Sequence, residues 1–247
     1  MSRTLLGALA IALCASLPGT TLAATTATMS ASFAPDRLGA SAAVTVGFRI
    51  HSPAGQIPSP LTGLEVHYPT NLGIVTTGLG VATCPVAELE AHGPSVCPPD
   101  SVMGSGSASV EIPVGAGVQT ETASIAMVAA PSPDGYVHLS TTATGLSPVI
   151  ARVVIPSTLL TGRMQLAVPL VESLPGAPDV SVVRVSLTLG GALTYYETIR
   201  GKTVPYHPVG IGIPRSCPRG GFPFSTDFTF LDGGHARART VVACPRG

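Results

Sequence analysis

Two cysteines bracket the segment ATCPVAELEAHGPSVCPPD, residues 82–100, with a histidine between them. The thiols of Cys84 and Cys97, the imidazole of His92 and the thioether of Met103 together make a soft ligand set of the kind copper takes. Zinc knuckles space their paired cysteines two to four residues apart, whereas twelve residues intervene here. A dithiol redox pair reads Cys-x-x-Cys, and that motif does not occur. The spacing favours a structural disulfide, with His92 a solvated loop residue. No metal and no cofactor is assigned.

Other chemistry finds little support. Gly104-Ser105-Gly106 resembles part of a nucleophile elbow, but Met103 stands where the first glycine of Gly-x-Ser-x-Gly belongs. A flexible start to a strand accounts for it as well. His-Glu-x-x-His, calcium-loop and phosphate-loop patterns are missing. His51 and His67 fall on neighbouring predicted strands, close enough in the chain to meet, while His138, His207 and His235 are scattered. Glu88 and Glu90, two apart on a helix, face different ways. No catalytic residue is assigned. The enzyme alternative is a hydrolase assembled only in the fold, from a serine with His138 or His207 and Asp134 or Asp227.

The elements that carry these residues follow from period-two alternation. Val44, Val46, Phe48 and Ile50 face one way, with Thr45, Gly47 and Arg49 opposite. Leu64, Val66 and Tyr68 repeat the pattern, as do Ile125 with Met127, Val137 with Leu139, and Val183 through Leu189. Phe222, Phe224, Phe228 and Phe230 form the most aromatic strand. Pro133-Asp134-Gly135 and Asp232-Gly233-Gly234 supply hairpin turns, and Gly190-Gly191 joins another pair. Proline-rich stretches at Ser52–Pro60, Ser173–Pro178 and Val204–Pro214 are read as joints, because proline donates no ladder bond. The helix signal is short: Pro85 opens it, Ala87 to Glu90 favour it, and Gly93-Pro94 ends it. The expected fold is all-β, an antiparallel β-sandwich (Ig-like or jelly-roll-like) with one short helix in a disulfide-closed loop. One domain spans 24–247, and 113–121 is where two packed sandwich halves would divide.

The address is read from the first residues. Arg3 is the only charge before Asp36, Leu5–Leu17 is apolar, and Thr21-Leu22-Ala23 ends in the small residues that signal peptidase reads. A bilayer span needs about 20 apolar residues, so 1–23 reads as a signal peptide, with a secreted, extracellular product and no transmembrane segment in the mature chain. Cys14 does not mark a lipoprotein, since Leu13 precedes it. Cys84, Cys97, Cys217 and Cys244 remain, an even set that implies two disulfides in an exported chain. Proximity pairs Cys84 with Cys97 and Cys217 with Cys244, each contributing roughly 3 to 3.5 kcal/mol. The second is expected to matter more, because it encloses the phenylalanine-rich hairpin Phe222–Val242. Cys217 reaches Cys244 only if the chain turns back at Gly220-Gly221.

Composition excludes several function classes. The formal charge is zero with 11% of residues charged, so no basic surface exists for nucleic acid. Tryptophan is absent, aromatics are 4%, and Asn71 is the only asparagine. That disfavours sugar clefts, which stack rings on aromatic faces, and porin-type barrels, which carry aromatic girdles. Lys202 is the only lysine, the arginine skew of a GC-rich genome.

Each of the four cysteines precedes a proline, and Cys97-Pro98 continues through Ser101, Gly104, Gly106 and Ala108. Cys217-Pro218, Phe224, Phe228, Asp232-Gly233 and Cys244-Pro245 form a closing segment. Together these resemble the paired Cys-Pro motifs of exported β-sandwich proteins from GC-rich actinobacteria. The resemblance covers about a quarter of the chain, implies a fold and an address, and carries no catalytic residue over. The expected role is a non-catalytic module of the envelope or extracellular space, structural or binding, with envelope or protein contacts. The alternatives are the hydrolase and a binder of a small apolar ligand or lipid.

Overall fold

The structure is a computed structural model that describes residues 25–53, 56–74, 82–115, 117–145, 150–173, 175–190, 195–206 and 211–245. The expected signal peptide over 1–23, His207 and Gly191 lie outside the described residues. In chain order the elements are β1 (Thr26–Ala34), β2 (Ser41–His51), β3 (Leu61–His67), β4 (Gly73–Ile74), α1 (Val86–His92), β5 (Val102–Val114), β6 (Gly117–Ala129) and β7 (Val137–Gly145). They continue with β8 (Arg152–Leu160), β9 (Arg163–Ala167), β10 (Ser181–Gly190), β11 (Tyr195–Ile199), β12 (Lys202–Tyr206), β13 (Ile211–Gly212), β14 (Phe222–Phe230) and β15 (His235–Val242).

The chain is therefore mostly antiparallel β. Thirteen strands form one sheet in the order β15-β14-β3-β9-β8-β7-β6-β5-β10-β2-β13-β4, with β1 on β2. β1 also runs beside β15, so the sheet is nearly closed, with no ladder between those two among the described residues. β11 and β12 make a separate two-stranded ribbon. The stretch 113–121 forms the hairpin between β5 and β6, within the same sheet. The joint read over Val204–Pro214 is interrupted: Pro205 lies in the β11–β12 ribbon, and Ile211–Gly212 inserts between β2 and β4. Proline is tolerated in that ribbon because it is all edge.

Alternation fills the interior. Val44, Phe48 and Ile50 are buried while Arg49 and His51 are exposed. Phe222, Phe224, Phe228 and Phe230 are buried along β14. Phe33 meets Phe222 edge-on at 5.3 Å between ring centres, and Phe48 meets Phe228 at 5.0 Å. Edge-to-face pairs of this kind add to the gain from burial.

Both disulfides join the cysteines that proximity paired. Cys84–Cys97 closes the loop holding α1, which starts one residue later than the sequence implied, with Pro85 as its N-cap residue. Gly93 N–H donates to Leu89 O at 2.9 Å to end it. Leu89 is fully buried against Cys84, Cys97 and Val128, so the loop is packed onto the outer face of β6. Cys217–Cys244 forms because Gly220 and Gly221 both adopt left-handed backbone, φ 90° and 95°. A Cβ at Gly221 would lie 2.5 Å from Val242 O.

Burial reverses the expected ranking of the two bridges. Cys84 and Cys97 are buried, whereas Cys217 is half-buried and Cys244 exposed. Val241, within the hairpin that the second bridge encloses, is 55% exposed. Opening the first bridge frees the loop that buries Leu89, a side chain worth about 1.5 to 3 kcal/mol when buried, and uncovers Val128 beneath it. Gly104 and Gly106 are also not a flexible strand start. A Cβ at Gly106 would sit 2.0 Å from Ser186 O, and one at Gly104 2.5 Å from Thr188 O, so both glycines let β5 press against β10.

Two outcomes follow. The pair Cys84→Ser with Cys97→Ser should lower the melting temperature further than Cys217→Ser with Cys244→Ser, measured by calorimetry. Gly106→Ala should cost about 3 kcal/mol in urea unfolding, because the obstacle is backbone and cannot turn aside.

Candidate functional site

The interior is not packed evenly, and the reason lies in residue size. In register across the sheet, Ala108 of β5 faces Ala123 of β6, which faces Gly145 of β7. One row over, Gly106 faces Ile125, which faces Ala143. Small residues thus occupy the same level on three adjacent strands, and they leave space.

Ala108, Ile125 and Ala143 line a cavity of about 170 Å³, while Ala123 and Gly145 line a smaller space beside it. Leu64, Val66, Ile125, Ile155, Val185 and Leu187 are among the walls of the cavity, contributed by strands from all round the sheet. The smaller space, also apolar, is about 100 Å³. The two share Leu61, Ala108, Ala143, Ile155, Val168 and Val182 as walls.

Two hydroxyl-bearing residues line the larger space, Tyr68 and Thr141. The Tyr68 hydroxyl donates to Leu160 O at 2.5 Å, and burial raises its pKa above the ordinary 10.0 of a phenol. Thr141 is 6% exposed, and its Oγ1 finds no hydrogen-bond partner.

No motif marks this site, although a small-residue signal for it is present in the sequence. Gly104, Gly106 and Ala108 alternate on one strand, Ala123 follows on the next, and Ala143 and Gly145 on the third. Small residues at alternate positions of consecutive strands announce an unfilled layer once the register is known.

The residues singled out for chemistry are placed as follows. The sulfurs of Cys84 and Cys97 are joined to each other, Met103 packs inside against Met127, and His92 is exposed beside Glu88. Among the described residues no group of three or more His, Cys, Asp or Glu could hold a metal ion. His51 and His67 do not meet. β2 and β3 are not neighbours in the sheet, because β3 pairs with β9 and β14. His51 contacts Thr28, and His67 Nε2 lies 3.1 Å from both Glu65 and Asp227. Asp227 also meets Arg237 at 3.2 Å, so it belongs to an outer-face charge ladder. The His235 ring lies 3.5 Å from the Thr229 hydroxyl.

One pair named for the hydrolase alternative is brought together. Asp134 Oδ1 lies 2.7 Å from His138 Nε2, and His138 Nδ1 lies 3.3 Å from Thr158 Oγ1. A carboxylate only accepts, so Nε2 carries the proton shared with Asp134. The third member is a threonine, not the serine expected. Nearby Ser157 donates to Leu139 O, and Ser140 Oγ is buried without a partner; neither is bonded to His138. Register explains the geometry without catalysis. His138 stands directly opposite Thr158 on the neighbouring strand, and Asp134 closes the turn by accepting from Tyr136 N–H at 3.1 Å. Cross-strand pairs of this type stabilise sheets.

No family model, curated protein or solved structure matches this chain.

The turn clamp has a measurable signature. The His138 hydrogen bond, and after it the Tyr136 N–H, hold the Asp134 carboxyl below the ordinary 3.8. A depressed carboxylate favours the folded turn above its ordinary range and loses that support as pH falls through its lowered value. A carbon-detected NMR titration should place Asp134 below 3.8, and His138→Ala should move it back up.

Proposed function

We propose that this chain is an exported, non-catalytic β-protein that takes a small apolar molecule into the interior of its sheet. The cavity of about 170 Å³ carries the reading. Protein interiors are close-packed and hold few voids larger than a water molecule. At the measured dependence on void volume, a space of this size lowers stability by about 4 kcal/mol. Replacing Ala108 or Ala143 by a larger residue would recover part of that cost, yet the small residues stand. An engineered cavity of about 150 Å³ lined by Leu, Ile and Phe stays dry and admits benzene, so the chemical class is a compact, largely hydrocarbon molecule.

The outer face supports a water-facing carrier. Ser105, Ser107 and Ser109 alternate with the inward residues of β5, and Arg184 and Ser186 with those of β10. A lipid-embedded barrel has the reverse arrangement, apolar outside, and no helix among the described residues is long and apolar enough to cross a membrane. Two disulfides and the signal-like first 23 residues favour an extracellular address. As to finer architecture, we favour a sheet flattened into the two opposed faces of a sandwich, with the cavity between them. The resemblance to exported proteins with Cys-Pro motifs agrees with this address. Contacts with the cell envelope remain part of the proposal.

Benzene and toluene titrations followed by thermal melting test the reading. Saturation to about ten times the dissociation constant should raise the melting temperature by about 3 to 5 °C. Ala143→Leu, which places a side chain into both spaces, should raise the melting temperature unaided and remove the response to toluene. An unchanged melting temperature of the native protein with benzene, toluene and phenol alike sinks the proposal.

A further inference from the structure

We infer that the molecule held in the cavity carries one hydrogen-bonding oxygen, as an alcohol, phenol or carbonyl, and that Thr141 is the residue that receives it. The inference rests on the cavity reading and deepens it.

Thr141 stands in the middle of β7, between Leu139 and Ala143 on the inward face. Its row across the sheet is Met127, Thr141 and Ile155, and all three line the cavity. The two flanking members are apolar, so a valine would suit the position by size and by neighbours. A β-branched hydroxyl stands there instead. A buried polar group without a partner is destabilising. Thr141 Oγ1 is such a group, in a residue 6% exposed. The other hydroxyl of the wall, on Tyr68, is already committed to Leu160 O. Thr142, the next residue along β7, donates to Ala126 O at 3.2 Å and so satisfies its own hydroxyl.

A hydroxyl can both donate and accept, and rotation about χ1 exchanges Oγ1 with the methyl group between staggered positions. Thr141 can therefore turn its hydroxyl toward a guest oxygen without any backbone change. A purely hydrocarbon guest leaves that group unsatisfied, whereas one with a single oxygen satisfies it. A guest with several polar groups would leave the surplus unpaired among Leu, Val and Ile side chains, which is costly.

Toluene and phenol, which differ by methyl against hydroxyl at nearly equal size, separate the two readings. Both are titrated by calorimetry into the native protein, Thr141→Val and Thr141→Ser. The expected result is that phenol binds the native protein, that Thr141→Val weakens phenol by about tenfold and leaves toluene unchanged or tighter, and that Thr141→Ser retains phenol binding. Thr141→Val should also melt no lower than the native protein, since it removes an unpaired hydroxyl. Toluene binding with no phenol binding, an equal effect of Thr141→Val on both probes, loss of phenol binding in Thr141→Ser, or a clearly lower melting temperature of Thr141→Val overturns the assignment of Thr141. Failure of both probes to bind the native protein instead removes the cavity reading itself, so the two failures are told apart.

Discussion

A single continuous ladder governs this molecule. From β1 through β2, β10, β5, β6, β7, β8, β9, β3 and β14 to β15, each strand bonds to the next along one wall. Strand geometry sends alternate side chains to opposite faces. Every inward residue of a nearly closed wall then enters one shared interior, and neighbouring levels cannot be filled independently. Where Phe33, Phe222 and Phe228 project inward the interior is filled, and Phe48 and Phe224 border the space. Where Ala108, Ala123 and Ala143 project inward, nothing larger comes from the far side to compensate, and the wall encloses a space.

Much of the wall was legible in the sequence because period-two alternation is a local property. Val44–Ile50, Leu64–Val66 and Phe222–Phe230 could be read as strands, with inward faces assigned, without knowing their partners. The disulfide pairing was legible for the same reason, since both bridges close local loops. Pairing between distant strands was not. His51 and His67 are sixteen residues apart in the chain, yet β2 and β3 sit far apart in strand order. Proline also misled. Pro205 falls in a stretch read as a joint, yet it lies in the β11–β12 ribbon opposite Tyr196.

The site was least legible, because a cavity belongs to no one segment. Ala108, Ala123 and Ala143 are unremarkable alone, and only the register of β5, β6 and β7 sets Ala108 beside Ala123 and Gly145 with Ala143 one row over. Thr141 looks from sequence like one of several strand hydroxyls in LSTTATG. What distinguishes it is the company it keeps: Ser140 and Thr142 face outward beneath the α1 side of the wall, while Thr141 faces Met127 and Ile155. Conversely, Asp134 and His138 attracted attention through residue type, and the turn that unites them explains their contact.

The nearly closed wall has one line where strands run side by side without bonding, between β1 and β15. Elsewhere an opening fluctuation must break a run of ladder bonds on both sides of a strand, but along this line it must only part side chains. Breathing motions of a protein gather where few backbone bonds resist them. Amide deuteration should therefore spread inward from this line, earliest at the strand edges that face it and latest in β5 and β6. The Cys217–Cys244 bridge, exposed and of modest worth to the packed interior, sits at one end of it. There it ties the last strand to the chain just before β14, and so sets how far the line can part.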